Sequence, residues 1–232
     1  MHVNILQVCY IKGEIDLGNI IPRLIKLIWG LFLFALGIVI TMKAHLGFAP
    51  WEVFHQGISL NIGISIGKVS ILTGLAVCIL VALMGEKLGL GTILNMFLIG
   101  IFMDWILEMN LVPEMRGFLS GTLMMFMGLF IISFASYFYI GSGFGAGPRD
   151  SLMVAIERKT GLAVGLCRGF IEGSAVFAGW LMGGPVGLGT VIAAFGIGFC
   201  IQVVFSLMKF EATMVRHETL QVTLKSLRNS SE

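Results

Sequence analysis

Charge is scarce in this 232-residue sequence: Lys, Arg, Asp and Glu together supply 12% of it, where soluble globular chains carry roughly a quarter. With 57% of residues hydrophobic, so few ionic groups cannot clothe a water-facing surface, and a soluble domain is excluded. The net charge is only +2, and the basic residues sit beside apolar runs rather than on a face of their own, which leaves no footprint for nucleic acid. Cysteine is as sparse. Cys9, Cys78, Cys167 and Cys200 show no CxxC or metal-ligand spacing, and three of them lie inside apolar segments, so neither a disulfide nor a metal site is expected. No GxSxG, HExxH or Walker loop occurs, and the glycine runs lack the strand context of a nucleotide site. No enzyme activity and no cofactor are therefore expected.

What is present is apolar sequence in lengths that fit a bilayer, whose core of about 30 Å needs roughly 20 helical residues to cross. On that rule spans fall near Ile21–Met42, Lys68–Met84, Leu90–Glu108, Phe118–Ile140, Leu162–Met182 and Leu188–Met208. Two further helical stretches, Trp51–Leu60 and Arg149–Thr160, are too short to cross. The expected fold is an all-α integral membrane protein with six transmembrane helices. The first twenty residues lack a basic n-region, an apolar h-region and a small-residue cleavage site, and residues 1–20 read as a retained cytosolic segment. Residues 209–232 read as a cytosolic tail with a weak amphipathic helix suited to the membrane surface.

The six spans divide into two copies of one unit. Pro50 and Pro148 lie 148 − 50 = 98 residues apart, and at that offset, without a gap, Gly30-Leu31-Phe32 matches Gly128-Leu129-Phe130 and Gly89-Leu90-Gly91-Thr92 matches Gly187-Leu188-Gly189-Thr190. Gly47, Gly63 and Gly67 likewise match Gly145, Gly161 and Gly165. Residues 21–110 form the first membrane repeat and 118–208 the second. Each reads as span, broken loop with a half-helix, span, span. Three spans is an odd number, so the second copy enters from the opposite side, and the repeats are expected to be inverted. Basic residues agree: Arg23, Lys26, Lys87, Arg149, Arg158 and Lys159 fall on one face, which the positive-inside rule makes cytoplasmic, together with both termini. If each half-helix spanned instead, the repeats would be parallel and those charges would fall on less consistent sides.

The polar breaks carry most of the candidate chemistry. Gly47-Phe48-Ala49-Pro50-Trp51-Glu52 and Gly145-Ala146-Gly147-Pro148-Arg149-Asp150 share one grammar: proline in the first helical turn, then an acid at the positive helix end. Capping alone explains Pro50 with Glu52 and Pro148 with Asp150, but not the retention of a polar break in both copies of a membrane repeat. Two half-helix N-termini facing a central cavity would explain both. His55 and Gln56 follow a turn later; His55 reads as a histidine near water at a membrane edge, or as a proton relay or substrate contact. Trp51 reads as an interfacial anchor, or as a stacking surface for a substrate. Within the spans Asp104 matches Gln202 (202 − 98 = 104), and Arg168 lies four residues before Glu172 on one helix face, as a mutually neutralising pair or as a coupling site. Glycines such as Gly169 and Gly173 read as close helix contacts.

With these residues in place, the first copy resembles the YczE/YyaS/YitT group of bacterial integral membrane proteins. The resemblance rests on the glycine-rich first span, on Leu46–Glu52 followed by His55-Gln56-Gly57, and on the GLGT run with Asn95 and Gly100, and it extends from about Ile21 to Met208. The second copy departs from it, with Arg149 where the first has Trp51. The resemblance implies a multi-pass inner-membrane location and a topology, and no catalytic or binding residues. Inverted repeats, broken loops and intramembrane acids together suggest a small secondary transporter, with the lipid bilayer and a small-molecule substrate as partners and a homo-oligomer left open. The alternative is a non-transporting scaffold that engages a cytosolic partner through its basic face and tail.

Overall fold

The computed structural model describes residues 20–215 together with Glu218 and Leu220. Most of the 1–20 and 209–232 segments thus lies outside the described residues. The described residues run through eight α-helices: α1 (Ile20–Lys43), α2 (Pro50–Ile62), α3 (Ile66–Leu83), α4 (Leu90–Glu108), α5 (Phe118–Ile140), α6 (Pro148–Thr160), α7 (Val164–Leu181) and α8 (Leu188–Leu207). No strand occurs among the described residues. Five helices, α1, α3, α4, α5 and α8, are long and apolar enough to cross a membrane. The molecule is an all-α membrane protein. Its outward faces carry large apolar side chains such as Phe118, Phe195 and Phe199, as lipid requires.

α7 is as long as α3, at 18 residues, but spends two of them on Arg168 and Glu172, which is why it stands apart from the five. α2 and α6, at 13 residues each, rise about 20 Å and are too short to span. Each begins on its proline, where the missing N–H is not needed, and each ends on a left-handed glycine, Gly63 or Gly161.

The core is built on α1 and α5. Leu27, Leu31, Ala35 and Val39 form a fully buried stripe at four-residue spacing, and Met125 and Leu129 of α5 are buried in the same cluster. Small residues let the two backbones meet: a Cβ on Gly37 would lie 2.9 Å from the Gly128 carbonyl, and one on Gly30 would lie 3.2 Å from that of Ala135. These contacts exchange partners at the offset of 98, since 30 + 98 = 128 and 37 + 98 = 135. The loops repeat the exchange. The N–H of Gly91 donates to the Phe144 carbonyl at 2.8 Å, and the N–H of Gly189 donates to that of Leu46 at 2.6 Å. Helix packing follows suit, with α1 on α4 as α5 on α8, and α2 on α7 as α6 on α3.

One pair breaks the pattern. α3 packs closely along α4, whereas α7 is parted from α8. Gly169 and Gly173 meet no atom within 4 Å, so the close helix contact read from their spacing is absent here.

Candidate functional site

A cavity of about 300 Å³ opens where the two half-helix N-termini converge. Ala49, Pro50 and Trp51 of the first copy and Gly147, Pro148 and Arg149 of the second line it, and α1, α3, α4, α5, α7 and α8 supply the remaining walls. Arg149 spans the two copies. Its Nη2 donates to Glu52 Oε1 at 3.1 Å, and its guanidinium lies over the Trp51 ring, 4.9 Å from the centroid. The two partners differ in exposure: the Glu52 side chain is 5% exposed and that of Arg149 34%. A buried carboxylate is therefore paired with a cation that is itself only partly enclosed.

Around this pair the lining is polar at a few points and apolar elsewhere, as in solute-binding cavities generally. His55 is 2% exposed and its Nδ1 has no hydrogen-bond partner; burial first, and the nearby Arg149 charge second, hold the imidazole well below its ordinary pKa, so it is neutral at pH 7. The histidine is thus enclosed in the protein, not placed at a wet membrane edge. Trp51 is likewise a wall of the cavity and a platform for Arg149. Tyr139 of α5 is 3% exposed, and its hydroxyl also has no partner. Absence of a side chain at Gly147 leaves room for that hydroxyl, Asp150 Oδ2 and Asn95 Nδ2, which would lie 3.3, 3.5 and 3.6 Å from a Cβ there. Asp150 itself is exposed, so the cavity communicates with solvent on the α6 side.

On the far wall Arg168 Nε donates to Glu172 Oε1 at 2.8 Å, the i, i+4 pair expected from spacing. Both residues line the cavity. Three of the sequence candidates do not. Gln56 is half-buried outside it, Gln202 is exposed at the end of α8, and Asp104 is engaged elsewhere. Asp104 Oδ2 accepts from Ser65 Oγ and its Oδ1 accepts from the Gly67 N–H at 2.8 Å, which ties the start of α3 to the end of α4. Asp104 is a structural clasp in this conformation. Tyr139, by contrast, escaped sequence reading, because a tyrosine in an apolar span gives no signal of where its hydroxyl points. Removing that unpartnered hydroxyl in Tyr139→Phe is expected to change stability by no more than about 1 kcal/mol, measured as thermal unfolding in detergent. No group of acids, histidines and cysteines suited to a metal occurs among the described residues.

Comparison with known proteins agrees with the architecture. Residues 21–206 match the model of a family of unknown function, DUF6198. The chain is 35% identical over 176 residues to the uncharacterized membrane protein YczE of Bacillus subtilis, covering 75% of this chain and 80% of that one. It is 33% identical to an uncharacterized protein of Haemophilus influenzae, over 76% of this chain and 80% of that one. YyaS of Bacillus subtilis, also uncharacterized, is 25% identical over 70% and 82% of the two chains. No solved structure matches the chain. Matched along most of its length by the family model and by YczE, the chain is a multi-pass membrane protein of the YczE-like DUF6198 family.

Proposed function

We propose that the protein is a small secondary transporter whose solute site is the cavity between the two half-helix N-termini. The observation that carries this reading is the Arg149–Glu52 pair: two half-helices from opposite copies meet across a solvent-connected cavity and hold charged groups there. In this reading α7 is the sixth span, with its ion pair turned to the cavity, and the copies are inverted repeats. The partner-exchanged contacts, Gly91 with Phe144 and Gly189 with Leu46, support a two-fold relation between the copies. Glu52, Asp150 and Glu172 outnumber Arg149 and Arg168 by one in the lining, and His55 is neutral. Such a site favours a small cationic or zwitterionic solute over an anion.

Topology is tested first. Single cysteines at Ile62 and Thr160, exposed counterparts at the offset (160 − 98 = 62), are placed in a background without native cysteines. They are expected to react with an impermeant thiol reagent from opposite membrane faces, and labelling from the same face would remove the inverted arrangement. Transport is then measured in proteoliposomes by counterflow against a panel of small amines and amino acids. Flux that Glu52→Gln and Asp150→Asn abolish, at unchanged amounts of folded protein, supports the site. A pure protein that moves no member of the panel but retains a cytosolic partner would favour the scaffold reading.

A further inference from the structure

The two copies differ most at one seam. In the first, Gly67 of α3 and Gly100 of α4 are buried against each other so closely that a Cβ on either would strike the carbonyl oxygen of its partner. Farther along, Gly74 receives Met96, whose Cγ lies 2.7 Å from where a Cβ would stand. Asp104 clasps the end. The counterparts in the second copy are Gly165 and Gly198, then Glu172 and Ala194, then Gln202 (each +98). Both glycines are retained, yet both are exposed and meet no atom within 4 Å. The knob and hole are retained with their sides exchanged: a long side chain on α7 now faces a small one on α8. Gln202, exposed, retains an amide oxygen able to accept from the Gly165 N–H, as Asp104 accepts from that of Gly67.

We propose that α7 and α8 are an open gate to the cavity, which closes by seating Gly165 on Gly198 and Glu172 over Ala194, in the manner of α3 on α4. This rests on the transporter reading of the same cavity. The structure is then one end state, sealed along α3–α4 and open along α7–α8, and in the inverted arrangement those seams lie toward opposite membrane faces. The pivot is at the other end of α7. Gly179 is packed against Phe54 and Gly57 of α2, and left-handed Gly183 follows with φ +87°, as Gly85 follows α3 with φ +91°.

The ion pair sets the balance. Closure would take Glu172 and Arg168 out of water against α8, which has no acid, base or histidine between Leu188 and Leu207. The other charged or titratable cavity groups are Glu52 and His55 of α2, Arg149 and Asp150 of α6 and Tyr139 of α5, none of which is on α8. Desolvating an ion pair opposes burial even when the partners stay together. The pair therefore holds the gate open, and neutral side chains of similar size release it.

Spin labels read the gate directly. One pair goes on Leu166 and Phe199, and a reference pair on Lys68 and Ile101, their counterparts at the offset; all four positions are exposed. In lipid nanodiscs the reference pair is expected to give mainly a short distance, and Leu166/Phe199 mainly a long one with a minor short component. Arg168→Gln with Glu172→Met should raise that short component at least twofold, and Gly198→Leu should remove it. Gly165→Leu should do the same if Gly198→Leu folds poorly. A single Leu166/Phe199 distance unmoved by any of these changes would overturn the gate, as would a short component that disappears on dilution with unlabelled protein, which would make the exposed glycines a contact between copies. Because the distances need no solute, a moving seam without flux removes the transporter reading alone, and flux across an immobile seam removes the gate alone.

Discussion

Replacing Arg149 by alanine is expected to cost about 3–5 kcal/mol of stability, read as thermal unfolding in detergent, because it strands a carboxylate in protein. Glu52 is 95% enclosed, and among the described residues its ionic partner is Arg149, at 3.1 Å. Part of the loss is packing, since the guanidinium also covers the Trp51 ring. The double replacement Glu52→Gln with Arg149→Met removes the stranded charge and should recover most of the stability. If the cavity is the solute site, it should nevertheless abolish flux, which separates the structural work of the pair from its use. Arg168→Ala is the control. Its partner Glu172 is 20% exposed and Arg168 is 44% exposed, so water can replace the lost cation and the cost should fall to about 1 kcal/mol or less.

The second large effect is a contrast between identical substitutions 98 residues apart. Gly67→Leu should destabilise by about 3 kcal/mol, because the new side chain meets the backbone of Gly100 and the carboxylate of Asp104, and a backbone carbonyl cannot turn aside as a side chain can. A Cβ at Gly165 meets nothing within 4 Å, and Gly165→Leu should fall within about 0.5 kcal/mol of the parent, or gain slightly from helix propensity. Unfolding midpoints of the two variants measured side by side decide the matter. Equal losses would mean that both seams are closed in the folded protein.

That contrast also marks where sequence reading stops. Helix ends were legible because their signals are local: Pro50 and Pro148 fix two starts, and α4 and α5 begin and end at the residues expected from hydropathy alone. The repeat was legible as letters, and so were the cavity residues that lie in its two breaks, such as Pro50, Glu52, Pro148 and Arg149. Identical letters say nothing about occupancy, however, and Gly67 with Gly100 reads the same as Gly165 with Gly198 although one pair is packed and the other bare. The Glu52–Arg149 contact joins residues 97 apart in the chain, and no local rule pairs them. For His55, the water expected at a membrane edge is displaced by tertiary packing from the opposite copy, which a half-helix considered alone cannot reveal.

Trp51 and Arg149 are each other's counterparts, since 51 + 98 = 149, and they touch. A position that meets its own counterpart across a two-fold axis is filled twice by the same residue whenever the two halves are separate, identical chains. Two arginines there would repel, and two tryptophans would leave Glu52 and its counterpart without a cation. Joining the halves in one chain lifts that restriction. The centre of the molecule can then hold an aromatic face against a cation, a pairing that a dimer of identical halves is unable to encode at that site.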